Sequence, residues 1–170
     1  MTRLGRMALI LAAMVIAADQ AVKAWILYGL KLPLLVTQHV FGPLSLTMVW
    51  NSGVSFGFLQ AQHDVVRWLL AAFSIVVAAL LIGWVRKAER PLFALAVGLV
   101  LGGAIGNVID RIRLGAVADF MDVSRLYFPW VFNVADSAIS IGIGLLLLDM
   151  LIQDNRERAE AARPAGGDAA

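Results

Sequence analysis

The part of the sequence that decides the fold is the stretch from Asn107 to Asp136, which reads NVIDRIRLGAVADFMDVSRLYFPWVFNVAD. It contains four of the chain's 12 acidic residues, all of them aspartates: Asp110, Asp119, Asp122 and Asp136. The segments on either side are almost entirely apolar. Ionised groups beside hydrocarbon are costly, so they are rare and usually functional. The stretch therefore predicts a polar site held inside an apolar protein.

The composition is that of a membrane protein. Of the 170 residues, 61% are hydrophobic and the mean hydropathy is +0.82, whereas soluble domains are roughly 45–50% apolar. We predict one membrane domain, residues 1–152, followed by a disordered tail, residues 153–170. The absence of cysteine excludes disulfides, thiolate metal sites and cysteine nucleophiles. No motif indicates a metal ion or another cofactor, and no basic patch with interleaved aromatic residues indicates a nucleic-acid partner.

Four apolar runs are long enough to cross a bilayer, because about 20 helical residues span the hydrocarbon. They lie at about 7–30, 65–85, 92–109 and 131–151. The first run has a basic start, as a signal peptide does, but its apolar pattern continues past the small residues at Ala17 and Ala18, which favours a span. Asp19 and Lys23 in this run are four residues apart, so they share a helix face and can neutralise each other. Glycines at four-residue spacing in the third run predict close helix packing: Gly98, Gly102 and Gly106.

Prolines and glycines interrupt residues 31–64, so this segment is not a span. Residues 44–51 largely alternate apolar and polar side chains, which predicts a strand with one apolar face. We therefore predict an all-α membrane protein, a four-transmembrane-helix bundle with a small periplasmic β-sheet between spans one and two. The run from Gly53 to Gly57 matches the G-x-S-x-G elbow of hydrolases, but that motif needs an α/β sheet and a suitably placed histidine. Only His63 follows it, which disfavours the hydrolase interpretation.

Four spans place both termini on the same side of the membrane. Eight of the 14 Lys and Arg residues then lie on that side, which the positive-inside tendency makes cytoplasmic: Arg3, Arg6, Arg86, Lys87, Arg90, Arg156, Arg158 and Arg163. The costly polar residues all approach the opposite boundary: Asp19, Asn51, Asn107, Asp110, Asp119, Asn133 and Asp136. A transporter distributes polar groups across the whole thickness. Polar groups gathered at one depth indicate a site instead.

Two carboxylates that converge in a partly desolvated place share one proton, so one acts as a base toward water and the other as an acid toward a carbonyl. Asp136, near the start of the fourth span, is favoured in its charged form by the helix dipole. Asp119, which we place on a loop, is the candidate partner. Asn133, one turn before Asp136, can orient the substrate or the pair.

Three alternatives remain at this level. The aspartates can be structural ion-pair partners of Arg111, Arg113 and Arg125, an interpretation as well supported as a functional one for Asp110 and Asp122. A serine/lysine peptidase can use Lys23 with Ser52 or Ser55. A small ion or solute carrier is the alternative from another functional class. The residues alone establish a membrane protein with a carboxylate site near the outer leaflet.

Five segments, in order along the chain, resemble those of the lipoprotein signal peptidase family, the type II signal peptidases of bacteria. They are DQAVK at 19–23, NSGVSFG at 51–57, GAIGNVIDR at 103–111, VADFMD at 117–122 and FNVADS at 132–137. The resemblance implies an aspartic endopeptidase of the inner membrane that cleaves the signal peptide from prolipoproteins immediately before the diacylglyceryl-modified cysteine.

The resemblance also implies roles for individual residues and partners. It makes Asp119 and Asp136 the catalytic pair. The residues that shape the site and hold the substrate are then Asp19, Lys23, Asn51, Gly53, Asn107, Asp110, Arg111, Asn133 and Ala135. The partners expected on this basis are diacylated prolipoproteins and membrane lipid, with inhibition by globomycin-type cyclic peptides. We expect the chain to be a monomer.

Overall fold

A computed structural model of the chain describes residues 1–53, 63–127 and 130–161. These residues form four long helices and four short strands: α1 (Arg3–Ala24), β1 (Thr37–Phe41), β2 (Leu44–Asn51), α2 (His63–Val85), α3 (Pro91–Leu114), β3 (Val117–Asp122), β4 (Val131–Phe132) and α4 (Val134–Ala161). A π-helical turn, Trp25–Gly29, extends α1, and a 3-10 turn, Ser124–Leu126, lies between β3 and β4. All four long helices have the length and hydropathy of membrane spans. The predicted four-helix architecture is confirmed.

The helix α3 is the centre of the bundle, and its glycines explain how α1 reaches it. A Cβ atom at Gly98 would lie 2.8 Å from the carbonyl oxygen of Ala8, and one at Gly102 would lie 2.8 Å from that of Ala12. At Gly106 it would lie 2.7 Å from the carboxylate of Asp19. Only glycine permits this approach, so the predicted packing role of the glycine series is confirmed.

A second pair of glycines brings α4 against another face of α3. A Cβ atom at Gly103 would collide with the carbonyl oxygen of Ala135, and one at Gly142 would lie 2.8 Å from that of Ala96. Close backbone contact along both faces of α3 fixes the positions of α1 and α4 relative to each other. These are the two helices that carry the sequence motifs at Asp19 and Asp136.

The sheet has four antiparallel strands in the order β1-β2-β3-β4. Its first two strands lie between α1 and α2, as predicted, and the segment between α3 and α4 supplies the other two. Asp119 therefore lies on β3 rather than on a loop, where the sequence reading placed it. Its register partner on β2 is Val49. The pairing follows from the apolar content of β3, in which Val117, Ala118 and Phe120 are all buried.

The strand β2 departs from the single apolar face that its alternation predicted. The register shifts between Leu46 and Val49, and beyond this irregularity Trp50 is 41% exposed. The polar side chains of Ser45 and Thr47 are buried instead. Burial of Thr47 is possible because its hydroxyl donates to Asp122 Oδ2 at 2.7 Å, which satisfies a polar group that would otherwise be costly to bury.

Two helices extend beyond their predicted ends. The helix α3 continues through Leu114 and ends at Gly115, whose φ of +84° lies in the left-handed region that favours glycine at a helix C-terminus. Asp110 and Arg111 are thus in the last turns of a helix. The helix α4 continues through Ala161, so residues 153–161 are helical where a disordered tail was predicted. Residues 162–170 lie outside the described residues.

Candidate active site

The first turn of α4 presents Asp136 through a reciprocal hydrogen-bonding arrangement. Asn133 precedes the helix, and its Oδ1 accepts from the backbone N–H of Asp136 at 2.9 Å. In return, Asp136 Oδ2 accepts from the backbone N–H of Asn133 at 3.3 Å. This is a capping box built with Asn and Asp, and it satisfies two amides of the helix start. The carboxylate of Asp136 is therefore fixed by the same bonds that begin the helix.

The second carboxylate, Asp119, approaches from β3. Its side chain is buried, with 2% of the residue's surface exposed. Its Oδ1 accepts from Asn133 Nδ2 at 2.6 Å, and its Oδ2 accepts from Asn51 Nδ2 at 3.0 Å. The two amides come from the start of α4 and the end of β2, so the fold of three separate elements is required to hold this side chain.

Each of the three asparagines has its amide orientation set by a donor to its own carbonyl oxygen. Gly53 N–H donates to Asn51 Oδ1 at 2.8 Å, and Asp136 N–H donates to Asn133 Oδ1. Asn107 Oδ1 accepts from Lys23 Nζ at 3.3 Å and from Asn133 Nδ2 at 3.2 Å. With the oxygens occupied in this way, every amide NH₂ points toward a carboxylate, and that of Asn107 donates to Asp136 Oδ1 at 2.7 Å.

Asp119 and Asp136 line one cleft between the sheet and α4, with a volume of about 450 Å³. Its other lining residues are Asn51, Trp130, Val131, Phe132, Ser137, Ser140 and Ile141. The walls are apolar, with a few polar groups near the two aspartates. This is the usual form of a binding site for an organic substrate.

Behind the cleft lies a buried ion cluster centred on Lys23. Its Nζ is 2.8 Å from Asp19 Oδ2 and 2.7 Å from Asp110 Oδ2. All three side chains are almost completely buried. The predicted neutralisation of Asp19 by Lys23 is thus present, and Asp110 is bonded to the same cation rather than to Arg111. A buried charge cluster of this kind is tolerated because its members are paired and hydrogen-bonded.

The ion cluster is connected to the backbone immediately before each candidate catalytic residue. Asp19 Oδ1 accepts from the backbone N–H of Ala135 at 2.9 Å. Asp110 Oδ2 accepts from the backbone N–H of Ala118 at 3.2 Å. Ala135 precedes Asp136 and Ala118 precedes Asp119, so Lys23 and its two carboxylates form a strut between the backbones that carry the pair.

The environment of Asp119 favours its protonated form. Burial raises the pKa of Asp119 to about 6, and the negative charge of Asp136 acts in the same direction. The hydrogen bonds from Asn51 and Asn133 oppose the rise. Asp122, by contrast, has its pKa lowered, mainly by the backbone N–H of Ser124 and then by the Thr47 hydroxyl. Of these two aspartates on β3, only Asp119 has a raised pKa, which suits it to carry a proton.

Comparison with known proteins identifies the family. The family model described as "Signal peptidase (SPase) II" matches residues 11–152 of the chain. The chain belongs to this family. Signal peptidase II is an aspartic-type peptidase that cleaves the signal peptides of prolipoproteins, and the family resemblance stated from the sequence is confirmed.

Curated relatives agree with this assignment, and solved structures share the fold. The lipoprotein signal peptidase of Caulobacter vibrioides is 52% identical over 163 residues, which cover 92% of this chain and 93% of the relative. That of Methylobacterium radiotolerans is 41% identical over 169 residues, covering 99% and 96%. A bacterial membrane enzyme solved by the in meso method at 2.3 Å resolution shares the fold, with a TM-score of 0.75, 24% identity and coverage of 95% and 94%. A second, solved at 1.9 Å, has a TM-score of 0.73 at 26% identity, covering 85% and 92%.

The remaining predicted residues of the signal peptidase II site have different positions. Arg111 lies in the last turn of α3, near enough for its charge to act on Asp136, Asp110 and Asp119, and its Nη1 donates to the backbone carbonyl of Asn107 at 3.4 Å. Ala135 is fully buried against α3. Gly53 has a φ of +85°, which brings its N–H to Asn51. Of the alternative nucleophiles in this peptidase, Ser55 lies outside the described residues.

Two residues that the sequence did not single out, Gln20 and Ser140, lie at the candidate site. Gln20 Nε2 lies within hydrogen-bond distance of Asp19 Oδ2, Asp110 Oδ1 and the carbonyl oxygen of Gly106. Its place beside Asp19 in the first motif was the available signal. Ser140, in the cleft wall, follows Asp136 by four residues and so shares its helix face. The four-residue spacing was visible in the sequence, but the sequence did not show that this face of α4 lines a cleft.

Proposed function

We propose that Asp119 and Asp136 are the catalytic pair of this signal peptidase II. The observation that carries the proposal is that two carboxylates from different elements face one cleft and are joined through Asn133, which bonds to both. Two carboxylates and a water suffice for peptide hydrolysis by the aspartic mechanism. Neither carboxylate has a salt-bridge partner within the described part of the chain.

The geometry supports distinct roles for the two aspartates. Asp136 accepts hydrogen bonds at both of its carboxylate oxygens, which hold it in place to activate water. Asp119 carries the shared proton, because burial raises its pKa to about 6 and a bound substrate would desolvate it further. Asp119 then protonates the carbonyl oxygen of the scissile bond as Asp136 accepts a proton from the water.

The other predicted residues position this pair. Asp19, Lys23 and Asp110 hold the backbones at Ala135 and Ala118. The remaining residues act on the pair more directly: Asn51, Asn107 and Asn133 orient the carboxylates, Gly53 orients Asn51, Arg111 supplies a nearby positive charge, and Ala135 allows the close approach of α3 and α4.

The cleft is consistent with the proposal that the substrate is a lipid-modified peptide, cleaved immediately before a diacylglyceryl cysteine. It extends from Asp119, on the sheet, along α4 to Ser140 and Ile141. A substrate that is part transmembrane helix and part lipid presents its scissile bond at the boundary between membrane and water. We further propose that the site faces the periplasm and that both termini are cytoplasmic, that a globomycin-type cyclic peptide occupies the same cleft, and that the chain acts as a monomer in the inner membrane.

The decisive experiment is cleavage of a purified diacylated prolipoprotein by the reconstituted protein. We expect Asp119→Asn and Asp136→Asn each to lower kcat/KM by about 10²–10⁴-fold, the usual contribution of a positioned acid or base. Asp64→Asn is the matched control, because Asp64 is an exposed aspartate at the start of α2. Activity retained in both variants would contradict the proposal.

The same assay tests the substrate and the inhibitor. A precursor that lacks the diacylglyceryl group should not be cleaved, and globomycin should compete with the modified precursor. Removal of the Ser52 hydroxyl should leave cleavage unchanged. Lys23 Nζ is held by the carboxylates of Asp19 and Asp110, so it is not placed to serve Ser52 as a base.

A further inference from the structure

An apolar groove lies at the opposite end of the bundle from the catalytic cleft. It has a volume of about 350 Å³ and runs between α1 and the start of α3. Its lining residues are Leu4, Met7, Ala8, Ile10, Leu11, Met14, Pro91, Ala94 and Leu95. Ala8 and Ala94 form a buried floor, whereas Met7, Ile10 and Met14 stand at its open side, each more than half exposed.

The groove has the length of a single leaflet. Leu4 and Met14 are ten residues apart on α1, which corresponds to about 15 Å at the rise of an α-helix. The hydrocarbon core of a bilayer is about 30 Å thick. The groove therefore matches one acyl chain of the leaflet on the side of the chain termini, and it ends where that leaflet's headgroups begin.

Cations lie at the headgroup end of this groove. Arg3 precedes Met7 by four residues and Arg6 precedes Ile10 by four, so each lies on the same helix face as a lining residue one turn further on. Both arginines are exposed. The stripe of apolar side chains along α1 thus begins with two positive charges.

The turn between α2 and α3 adds two more cations at the same place. The backbone N–H of Thr2 donates to the carbonyl oxygen of Arg86 at 3.0 Å, and the Thr2 hydroxyl donates to that of Ala88 at 2.8 Å. These bonds hold the turn, with Arg86 and Lys87 exposed, against the start of α1. The positive charge is therefore built into the fold and does not depend on flexible tails.

Other charges near this end do not cancel the excess. Arg90 is paired with Asp149 at 2.9 Å, so its charge is largely neutralised. Glu89 is exposed on the same turn and contributes one negative charge. On α1 and the turn between α2 and α3, four cations, from Arg3, Arg6, Arg86 and Lys87, remain against that single acid.

We propose that this groove binds an anionic diacyl phospholipid, with one acyl chain between α1 and α3 and the phosphate at Arg3 and Arg6. The site is separate from the catalytic cleft and does not depend on the roles proposed for Asp119 and Asp136. Its specificity comes from the headgroup charge, because any lipid has an acyl chain. A cation near an anionic lipid contributes about fivefold in affinity.

The test is native mass spectrometry of the purified protein with phosphatidylglycerol or with phosphatidylcholine of the same acyl chains. We expect wild-type protein to retain phosphatidylglycerol preferentially, and Arg3→Gln/Arg6→Gln to lose that preference by on the order of tenfold. Arg156→Gln/Arg158→Gln is the matched control, because it removes two cations from α4, outside the groove. Leu95→Trp, which fills the groove, should reduce retention of both lipids.

Prolipoprotein cleavage reports that each variant is folded, since none of these residues belongs to the catalytic site. Equal retention of the two lipids by wild-type protein, or an unchanged preference in Arg3→Gln/Arg6→Gln, would overturn the proposal. A dimer that Leu95→Trp dissociates would assign the groove to a second copy of the chain and would also overturn it.

Discussion

At the scale of single residues, the raised pKa of Asp119 allows the proposed sharing of one proton between Asp119 and Asp136 to be tested. A carboxyl with a raised pKa is protonated below that value and ionised above it, so the pair loses its shared proton as the pH rises through about 6. We expect kcat/KM to fall over this range. Asn51→Leu removes a hydrogen bond that favours ionised Asp119, so the fall should move to higher pH.

The pH profile of Ser140→Ala is the control for that shift. Ser140 lies in the same cleft, and within the described residues it has no hydrogen bond to Asp119. Its profile should therefore follow that of wild-type enzyme. If the fall of kcat/KM in Asn51→Leu occurs at the same pH as in wild-type enzyme, or at lower pH, Asn51 does not act on the titrating carboxyl.

Lys23 is expected to have a large effect on stability. Lys23→Met leaves two buried carboxylates without their cation, and breaking a buried pair costs about 3–5 kcal/mol. Thermal unfolding in detergent measures this loss. Lys23→Met/Asp110→Asn should recover part of it, because one of the two orphaned charges is removed.

The matched control for Lys23 is Arg158→Met on α4. Arg158 pairs with Asp154 at 3.0 Å, but both side chains are more than half exposed. Exposed pairs contribute little, so its melting temperature should barely change. If Lys23→Met lowered the melting temperature as little as Arg158→Met, the ion cluster of Lys23 with Asp19 and Asp110 would not stabilise the protein.

At the scale of whole elements, the contact between α1 and α3 can be tested at one glycine. In Gly106→Ala the new methyl group would meet the Asp19 carboxylate at 2.7 Å. Overpacking of this kind costs about 1–3 kcal/mol and displaces the group that holds Ala135. We expect lower thermal stability and lower cleavage activity in reconstituted protein.

Gly144→Ala on α4 is the control for this substitution. Within the described residues, no atom beyond its own stretch of helix lies within 4 Å of the position that its Cβ would take, and alanine is the better helix former by about 1 kcal/mol. This variant should be at least as stable as wild-type protein. Equal losses at both glycines would mean that helix propensity, rather than close packing, determines the outcome.

The sheet depends on a hydrogen-bond chain from β1 to β3. Thr37 and Thr47 are joined through their hydroxyls at 2.8 Å, and Thr47 donates to Asp122 at 2.7 Å. Thr47→Val should destabilise the protein by about 1 kcal/mol near neutral pH, as measured by thermal unfolding. The pKa of Asp122 is lowered in the fold, so the stability from its charge is present above the ordinary value and is lost as the pH falls.

The difference between Thr47→Val and wild-type protein should therefore shrink in acid, where Asp122 becomes protonated. Thr37→Val removes the exposed end of the same chain and should cost less. A difference that grows in acid would contradict the assigned bond, because it would mean that Thr47 acts on the neutral carboxyl.

The sequence predicted the elements whose signal is local. Hydropathy placed the four spans, and the four-residue glycine spacing predicted the packing of α3. The strand β3 could not be placed from the sequence, because a strand is defined by its partner and β2 lies more than sixty residues earlier. The register irregularity after Leu46 was hidden for the same reason, since the burial of Thr47 depends on Asp122 across the sheet.

At the scale of the whole molecule, the proposed orientation can be measured without removing any native thiol, because the chain has no cysteine. Phe41→Cys places a thiol at the exposed end of β1, and Lys87→Cys places one on the α2–α3 turn. An impermeant maleimide added to intact spheroplasts should label the first and not the second. Permeabilisation should expose both, and the reverse pattern would invert the topology.

The residues that lie together at the candidate site were predictable from the sequence, but the hydrogen bonds and ion pairs among them were not. Each motif contributed residues that the resemblance named, such as Asp19 and Asn133. The sequence could not show that Asp110 bonds to Lys23 rather than to the adjacent Arg111, because that choice depends on how α1 and α3 cross. The same crossing places Gln20 between Asp19 and Asp110, a contact that no spacing in the chain indicates.

The bond between Asp19 and Ala135 joins residues that are 116 positions apart in the chain. During biosynthesis, the first helix enters the bilayer long before the last one exists. The proposed catalytic centre therefore cannot be completed until synthesis of the chain is nearly finished. If Asp136 has the role proposed for it, a chain that is still being synthesised lacks one of its two carboxylates and cannot cleave the precursors beside it, so it needs no inhibitory propeptide.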